Sequence, residues 1–331
     1  LTARQYASQF NDPFLRRAIV PMFGWPDIPV AVGMFLLAYL ANGNAGFPIG
    51  GSLAFAEGIE RRYRALGGQL YSGSQVEKIL VEGDRAIGVR LYNDTIHYAD
   101  VIVSAADGRG TVYDLLDGHY VDRSVKRLYN GDLPIHTQIQ VSLGIDRDFS
   151  AEPYWSVYLL DEPLLIAGQQ HDEMTVKQYA FDATLAPHGK TSLLVTIDAD
   201  YGYWQRIYGR RLYDMEQIQV ANIVIDWLDT VYPGIRDCVE VKDVATPLSY
   251  ERYTGNWLGS TSGWLLTDKT MMMQVKGMEK TLAGLDNLFL AGHWVEPGGS
   301  VPVAAMSGRN AIQLICAQHE REFVKIQPHL S

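Results

Sequence analysis

Residues 287–310 read NLFLAGHWVEPGGSVPVAAMSGRN, an apolar run followed by a glycine-rich turn. Its apolar run at 288–291 has the length and composition of a central strand. Gly292 and the turn Pro297-Gly298-Gly299 follow, and glycine permits backbone conformations and close approaches that other residues do not. The pattern predicts a strand, a glycine turn and a helix.

The residues after this turn predict a helix over 301–317. Ser300 stands at the expected N-cap, and Pro302 falls in the first turn, where its absent N–H costs little. The free N–H groups and partial positive charge of a helix N-terminus suit a negatively charged ligand. Small residues occupy one face and let a flat group lie close: Ala304, Gly308 and Ala311. Simple packing of a helix on a sheet explains the same pattern, so the motif alone leaves both explanations open.

The first third of the chain combines helical and strand patterns. Apolar residues recur at three- and four-residue steps over 52–66 and predict a helix that stops at Gly67. A further helix is predicted over 110–116. Short strands are predicted between the two helices, over 69–72, 75–82, 86–92 and 97–104.

The middle of the chain has a different character. Residues 136–145 alternate strictly between apolar and polar, which predicts a half-buried strand. Similar segments complete an antiparallel sheet separate from the first region: 155–160, 175–181 and 191–197. A long helix is predicted over 210–232 and a strand over 238–244. Residues 246–264, rich in Gly, Tyr and Trp, are predicted to be mostly loop.

The composition excludes several classes of function. The 331 residues are 47% hydrophobic and 20% charged, with a formal net charge of −10 and a pI of about 5.3, as in ordinary globular proteins. This charge repels nucleic acid, and no basic stripe offsets it, so no nucleic-acid partner is expected. Two cysteines, Cys238 and Cys316, and eight histidines show no metal-ligand spacing, so no metal site is predicted.

Residues 28–56 contain no charged side chain. Prolines, glycines and asparagines interrupt them, and the best apolar core, 30–40, is too short to cross about 30 Å of hydrocarbon. A buried or surface-touching helix is predicted here. The stretch is the candidate surface for peripheral membrane contact by a protein that we expect in the cytoplasm. The chain begins with Leu1, which indicates a piece of a longer protein.

Three stretches together resemble one group of flavoproteins. The last of them, with AGHW at 291–294, EPGGSVP at 296–302 and SGRN at 307–310, is similar to the C-terminal motif of the phytoene dehydrogenase-like, carotenoid desaturase-type FAD-dependent oxidoreductases, which are distantly related to amine oxidases. Two further stretches are similar to that family: FPIGGSLAFAEGIERRYRALGGQLYSGSQVEKI at 47–79 and ADVIVSAADGRGTVYDLL at 99–116. Their order over most of the chain makes the resemblance specific.

The resemblance implies a mixed α/β (α+β) fold. An incomplete Rossmann-like FAD/NAD(P)-binding domain would be interrupted by a substrate domain with an antiparallel sheet and helices. The FAD-binding parts would be 45–116 and 282–318, and the substrate domain 117–281. Residues 1–44 would form a helical segment on the substrate side, and 319–331 a tail.

The resemblance also implies an FAD site. The helix N-terminus would face the pyrimidine edge of the flavin, and Val76 would lie by the adenine. Ser300 replaces the third glycine of the family's turn, and His293 stands where many relatives carry an acidic residue or Gln. The residues that would line the flavin are Gly292, His293, Gly298, Gly299, Ser300, Val301 and Pro302.

The family opens with a strand, a GxGxxG turn and a helix, which hold the nucleotide. This chain does not contain them. We therefore expect it to be a portion of a full flavoprotein, or one half of a split one whose partner chain carries the GxGxxG half. Its FAD site would be incomplete, and alone it would bind FAD poorly.

The implied reaction is hydride transfer between C–C bonds of an apolar polyene- or isoprenoid-like substrate and flavin N5. Four aromatic residues would line the substrate's path: Tyr250, Tyr253, Trp257 and Trp264. No catalytic acid or base is assigned, and Glu296 is predicted to be a surface-loop carboxylate rather than a base. Two alternatives stay open: an amine-oxidase-type flavin oxidase acting on C–N bonds, and a non-catalytic fragment or subunit without the nucleotide-binding half.

Overall fold

The computed structural model describes residues 1–324. They form two compact units, each built from two separate stretches of sequence. Leu1–Ser72 and Thr137–Tyr253 make the first unit, and Gly73–His136 with the residues from 254 onward make the second. The predicted domain limits lie elsewhere, at 45, 117 and 282, and stay a prediction. Of the predicted tail, residues 325–331 lie outside the described part.

The first unit is built on an antiparallel sheet. Strands and helices are numbered along the chain, and the strands here are β5 Gln138–Ile145, β6 Trp155–Ile166, β7 Gln169–Gln178, β8 Thr191–Asp198 and β9 Val239–Ala245. Their order in the sheet is β6-β7-β8-β5-β9. The alternation predicted for β5 is confirmed, since every second side chain is buried: Ile139, Val141, Leu143 and Ile145.

A long helix, α7 (Tyr213–Val231), shares its core with this sheet. Val220, Val224 and Leu228 of α7 are fully buried. The single helix predicted over 210–232 is wrong at its start, because Arg211 adopts a φ of +59° and separates α7 from α6 (Tyr201–Gly209).

Part of the loop predicted over 246–264 is helical. After α8 (Ile235–Cys238) and β9, the chain forms α9 over Pro247–Thr254. Thr246 and Ser249 stabilise its start by exchanging hydrogen bonds between hydroxyl and backbone N–H groups at 3.0 and 3.4 Å.

Four helices come first in the chain: α1 Ala3–Ala7, α2 Pro13–Phe23, α3 Val30–Ala41 and α4 Gly51–Ala65. Asp12 caps α2 by accepting hydrogen bonds from the N–H groups of Phe14 and Leu15 at 2.8 and 3.0 Å. The helix predicted over 52–66 is confirmed as α4, and the chain leaves it through Gly67 at a φ of +87°.

The second unit contains two three-stranded sheets. One is an antiparallel meander of β1 (Val76–Glu82), β2 (Arg85–Leu91) and β3 (Ile96–Tyr98). The other consists of β4 (Ile102–Ser104), β10 (Thr281–Leu282) and β11 (Leu285–Leu290). In it, β11 is central, parallel to β4 and antiparallel to β10.

Two of the strand predictions for residues 69–104 are wrong. Residues 69–72 form no strand, because no strand of the described residues pairs with them. Residues 97–104 split between β3 and β4, since Asn287 holds the backbone between them. Its Nδ2 donates to the carbonyl oxygens of Asp100 and Ala86 at 2.9 and 2.6 Å.

Residues of both sheets pack into one apolar core in the second unit. Its buried residues include Ile79 of β1 and Leu288 and Leu290 of β11. The helix predicted over 110–116 is present as a π-helical turn, Gly110–Leu115. The other helical elements are α5 Arg123–Leu128, a 3₁₀ turn Trp257–Gly259, α10 Asp268–Lys276 and α11 Val301–Gln318.

Within residues 1–324, every helix is too short or too polar to cross a membrane. The same residues hold no group of three or more His, Cys, Asp or Glu side chains arranged for a metal ion.

Candidate functional site

The loop at the carboxyl end of β11 begins with a sharp change of backbone direction. Residues 288–290 pair in parallel with β4, which confirms the predicted central strand. Gly292 then adopts a φ of +98°, a region that favours glycine. Its N–H donates to Ser307 Oγ at 2.8 Å. A loop between the carboxyl end of such a strand and a helix N-terminus is a frequent ligand position in α/β sheets.

Three consecutive residues of the turn have positive φ: +115° at Gly298, +62° at Gly299 and +92° at Ser300. The Gly298 N–H donates to the carbonyl oxygen of Trp264 at 3.0 Å. A Cβ added to Gly299 would lie 2.8 Å from the Cβ of Ser262. Position 299 therefore needs glycine both for its backbone conformation and for close packing.

Ser300 is strained at the position where the family's turn carries glycine. Its φ of +92° and ψ of 151° lie in a region that is essentially restricted to glycine, and such strain costs about 1–3 kcal/mol. Its side chain makes no capping hydrogen bond. Ser300 therefore occupies the predicted N-cap position without capping the helix through its hydroxyl.

We expect Ser300→Gly to raise the free energy of unfolding by about 1 kcal/mol, because relief of the strain exceeds the extra entropy that glycine gives the unfolded chain. Ser300→Ala is the matched control, since alanine keeps the Cβ that causes the strain. Urea denaturation measures the difference. Equal midpoints for the glycine and alanine variants would contradict a strained Ser300.

The first turn of α11 is open. Val301 and Pro302 are exposed, and proline in the first turn removes no helical hydrogen bond. The predicted face of small residues is buried at Ala311, whereas a Cβ on Gly308 would meet no described atom within 4 Å. Space therefore remains beside α11 at Gly308.

Glu296 forms a buried ion pair, so its prediction as a surface-loop carboxylate is wrong. Its Oε1 lies 2.7 Å from Lys280 Nζ, and the two side chains are only 4% and 6% exposed. The same oxygen accepts a hydrogen bond from Asn310 Nδ2 at 3.0 Å. The carboxylate thus joins the loop to the segment before β10 and to α11.

Four aromatic residues, Tyr129, Trp257, Trp264 and Trp294, form an aromatic cluster in the second unit. Trp264 is fully buried, and its ring centroid lies 4.9 Å from that of Trp294 and 5.4 Å from that of Tyr129. Trp257 joins the cluster 5.6 Å from Tyr129. Trp264 Nε1 also donates to the Trp294 carbonyl at 3.2 Å. Trp264 packs edge to face on Trp294, as Trp257 does on Tyr129, a favourable arrangement of aromatic rings, whereas the rings of Tyr129 and Trp264 are tilted.

Asp107 connects this cluster to the segment after β4. Its carboxylate accepts hydrogen bonds from the N–H of Trp257 at 2.9 Å and of Gly110 at 2.6 Å. Burial raises the pKa of Asp107, and these two hydrogen bonds oppose that increase. Through these hydrogen bonds the Asp107 carboxylate fixes the backbone at Trp257. Arg109, two residues further along the chain, lies over the Tyr113 ring, 4.9 Å from its centroid.

His293 is half-buried in the loop, and burial lowers its pKa. The ring is therefore neutral near pH 7, with one hydrogen-bond donor and one acceptor. A Cβ on Gly263 would lie 2.2 Å from the His293 carbonyl oxygen, so only glycine fits there. The loop backbone at His293 is thus held against residue 263.

All predicted cofactor-binding residues belong to the second unit. Val76 begins β1, is half-buried and pairs with Leu91. Ile79 of the same strand shares its core with β11. The structure thus brings β1 and the loop onto one core, and the contacts of these residues with a cofactor stay a prediction.

The predicted substrate-lining residues are divided between the units. Trp257 and Trp264 belong to the aromatic cluster. Tyr250 lies on α9 in the first unit, where its hydroxyl bonds two glutamine side chains of β5 at 2.8 and 3.1 Å. Burial raises the pKa of Tyr250. Tyr253 is 79% exposed. Their lining role stays a prediction.

Sequence reasoning missed four residues that hold the loop and the aromatic cluster in place: Asp107, Tyr129, Lys280 and Asn310. Asp107 and Asn310 fall inside the stretches that resemble the family, so those motifs contain a signal for them. Tyr129 and Lys280 lie outside these stretches. No periodicity in the sequence distinguishes them from ordinary surface or core residues.

Relatives with carotenoid-related names match most of the chain. A chloroplastic prolycopene isomerase of Daucus carota is 24% identical over 289 residues, which cover 80% of this chain and 43% of the relative. A zeta-carotene-forming phytoene desaturase of Myxococcus xanthus is 23% identical over 323 residues, which cover 91% of this chain and 58% of the relative. The chain therefore spans about half the length of these curated relatives. No family model matches it.

Solved structures share the fold. An oxidoreductase from Methanosarcina mazei matches with a TM-score of 0.64 at 19% identity, covering 94% of this chain and 68% of that chain. A putrescine oxidase variant matches with a TM-score of 0.58 at 14% identity, covering 96% and 68%. Such low identities show the fold alone. The predicted mixed α/β (α+β) class is confirmed.

The sequence motifs, the curated sequence relatives and the solved structures are consistent with one another. The stretches at 47–79, 99–116 and 287–310 lie in a chain whose sequence relatives are named for carotenoid chemistry and whose fold occurs in a putrescine oxidase. In its sequence motifs and its curated relatives, the chain is thus similar to the phytoene dehydrogenase-like, carotenoid desaturase-type oxidoreductases.

Proposed function

We propose that this chain supplies the flavin-ring part of the FAD site in an oxidoreductase that acts on C–C bonds of an apolar, polyene- or isoprenoid-like substrate. The observation that carries the proposal is the open turn between β11 and α11. Its residues 298–300 have positive φ, and the first turn of α11 has no side-chain cap. The flavin, when bound, would exchange a hydride with a substrate carbon at N5.

The residues of the turn fit a flat and partly anionic group. Gly292 and Gly298 present partly exposed backbone without side chains, and Gly308 leaves space beside α11. The N–H groups at the start of α11 carry a partial positive charge, which would stabilise the negative charge of a reduced flavin. His293, neutral near pH 7, would offer a hydrogen bond to the ribityl chain rather than a fixed charge.

The aromatic cluster and the buried ion pair would orient the flavin by keeping the turn in place. Because Glu296 is bound by Lys280 and Asn310, we propose a positioning role for it and not that of a base. Trp257, only partly buried, would contribute to an apolar wall on the substrate side. Val76 would contact the adenine through its backbone.

We also propose that a GxGxxG-containing half, in the same polypeptide or in a partner chain, holds the nucleotide end of FAD. β4 is an edge strand of its sheet, and its Val103 is exposed. Strands in parallel pairs are usually buried on both faces. α11 also exposes apolar side chains, Met306, Ile312 and Leu314. A strand and helices of that half would cover them, which accords with the partial coverage of the relatives.

A flavin oxidase acting on C–N bonds is the second candidate, and the likeness to a putrescine oxidase fold favours it. The names of the sequence relatives favour C–C chemistry instead. A third candidate is a subunit that binds or assembles without catalysis.

Flavin spectroscopy distinguishes the three candidates. The experiment uses this chain together with its nucleotide-binding half, loaded with FAD under anaerobic conditions. We expect phytoene in detergent to bleach the flavin absorbance and to gain a C–C double bond, whereas alkylamines leave the spectrum unchanged. Rapid bleaching by an amine would establish the C–N candidate. Bound flavin that no polyene, isoprenoid or amine reduces would favour the non-catalytic one.

A further inference from the structure

Strand β9 leaves one side of the antiparallel sheet open. In the order β6-β7-β8-β5-β9 it is an end strand, and among the described strands it pairs with β5 alone. Its residues 240–243 are all exposed, and the apolar Val241 is 65% exposed. The edge of an end strand presents N–H and C=O groups that can pair with a further strand.

The direction of the backbone groups of β9 follows from one hydrogen bond. Gln217 Nε2 of α7 donates to the Val244 carbonyl oxygen at 2.5 Å, so this oxygen points away from β5. Residues of an antiparallel strand alternate between pointing towards a given neighbour and pointing away from it. The N–H and C=O of Lys242, two residues before Val244, therefore also point to the open side, whereas those of Val241 point to β5.

A groove lies between the open side of β9 and α7. Its volume is about 480 Å³, and the charged residues that line it are Asp226, Arg236, Glu240 and Lys242, two acidic and two basic. Arg236 Nη2 lies 2.8 Å from Asp226 Oδ1. The whole chain carries a net charge of −10, which makes two copies repel each other. A locally neutral surface reduces that repulsion.

The exposed face of α7 extends this surface. Ile218, Asn222 and Asp226 recur at four-residue steps, so they share one face of the helix. Asn222 and Asp226 line the groove, and Ile218, which is 55% exposed, continues it with an apolar side chain. The surface therefore offers backbone groups, balanced charges and apolar area side by side.

We propose that two copies of this chain pair antiparallel through β9 about a two-fold axis and join their five-stranded sheets into one continuous sheet. A two-fold contact brings the same patch of both copies together, so the patch must be complementary to itself. With the axis at Val241, each Glu240 lies opposite Lys242 of the second copy. The two Val241 side chains then meet at the axis, in the kind of pair that brings side chains closest.

Charge selects this register. With the axis one residue later, Lys242 would lie opposite itself, and with the axis one residue earlier, Glu240 would lie opposite itself. Like charges directly opposite each other in a sheet are destabilising, whereas opposite charges stabilise the pair. The complementarity of the edge to its own sequence is the reason to place a second copy there rather than an unrelated strand.

Sedimentation velocity of charge-swapped variants tests the pairing. We expect the parent chain, of 37.0 kDa, to form a dimer as its concentration rises. Lys242→Glu places glutamates opposite each other at both symmetric positions, and Glu240→Lys places lysines there. Each variant alone should dimerise at least about tenfold more weakly than the parent chain. The exposed ion pair that Glu240 forms with Lys190 contributes little, so its loss should leave the fold intact.

Mixing the two variants separates register from general damage. In a mixed dimer every glutamate again lies opposite a lysine, so the affinity should return to that of the parent chain. A defect in the fold of either variant would not be repaired by mixing. Lys269→Glu, at an exposed lysine of the second unit, makes the same change in charge and should dimerise like the parent chain.

Three results would overturn the proposal: a parent chain that stays monomeric up to about 100 µM, single variants that dimerise like the parent chain, or a mixture that associates no better than either variant. The dimer should also persist when the GxGxxG half is added, because that half is assigned to β4 and α11 of the second unit, and its dissociation would equally overturn the proposal. Circular dichroism verifies that the variants fold. The measurement needs no flavin, so its outcome is independent of the proposed oxidoreductase function.

Discussion

Lys280→Met is expected to lower the free energy of unfolding by about 3–5 kcal/mol. The substitution keeps the length of the side chain but removes the cation that lies 2.7 Å from Glu296. Glu296 would then remain 3% exposed, with Asn310 as its only described polar partner. A buried carboxylate without a counter-charge is far costlier than the lost attraction between exposed ions.

Two further variants separate this cause from general effects of the substitution. Lys78→Met breaks the exposed pair between Lys78 and Asp117 and should cost about 1 kcal/mol or less. Adding Glu296→Gln to Lys280→Met removes the stranded charge and keeps an oxygen for Asn310, so most of the stability should return. Urea denaturation followed by near-ultraviolet circular dichroism gives the four values. A double variant as unstable as Lys280→Met alone would contradict the buried ion pair.

Trp264→Ala is expected to cost about 3–5 kcal/mol. The side chain is fully buried, and its removal leaves a cavity beside Trp294 and Tyr129 and deprives the Trp294 carbonyl of a donor. The hydrogen bond from the Gly298 N–H should remain, because its acceptor is the backbone carbonyl of residue 264, which alanine keeps.

Trp264→Phe should lose less than half as much, since it keeps a ring in the cluster. Trp155→Ala, at a tryptophan that is 49% exposed in the first unit, serves as control and should cost about 1 kcal/mol or less. If Trp264 instead lined an open substrate path, Trp264→Ala would change stability as little as the control. That result would revise the account of the aromatic cluster.

Local patterns in the sequence predict much of the fold. The alternation in 136–145 predicts β5, and the strand, glycine turn and Pro302 predict the order β11, loop, α11, because each depends on neighbouring residues. Predictions are wrong where distant residues intervene. Asn287 divides 97–104 between two sheets by bonding Asp100, a contact between residues far apart in sequence.

The sequence likewise predicts some features of the candidate site and not others. The motif predicts which backbone is bare at Gly292, Gly298 and Gly299, and all three have positive φ. It does not predict that Glu296 is buried, because loop carboxylates are usually exposed and Lys280 lies sixteen residues away. The sequence also does not predict the backbone strain at Ser300, since only the observed φ and ψ reveal it.

Flavin titration tests the proposal that this chain holds the ring end of FAD and needs a GxGxxG half for the nucleotide end. FAD is titrated into the chain alone and into the chain together with that half, and flavin fluorescence and absorbance are recorded. We predict one FAD per assembled protein and at least about a hundredfold weaker binding to the chain alone, since the contacts to the pyrophosphate and ribose are absent there. Stoichiometric, tight FAD binding by the chain alone, or no FAD in the assembled protein, would contradict it.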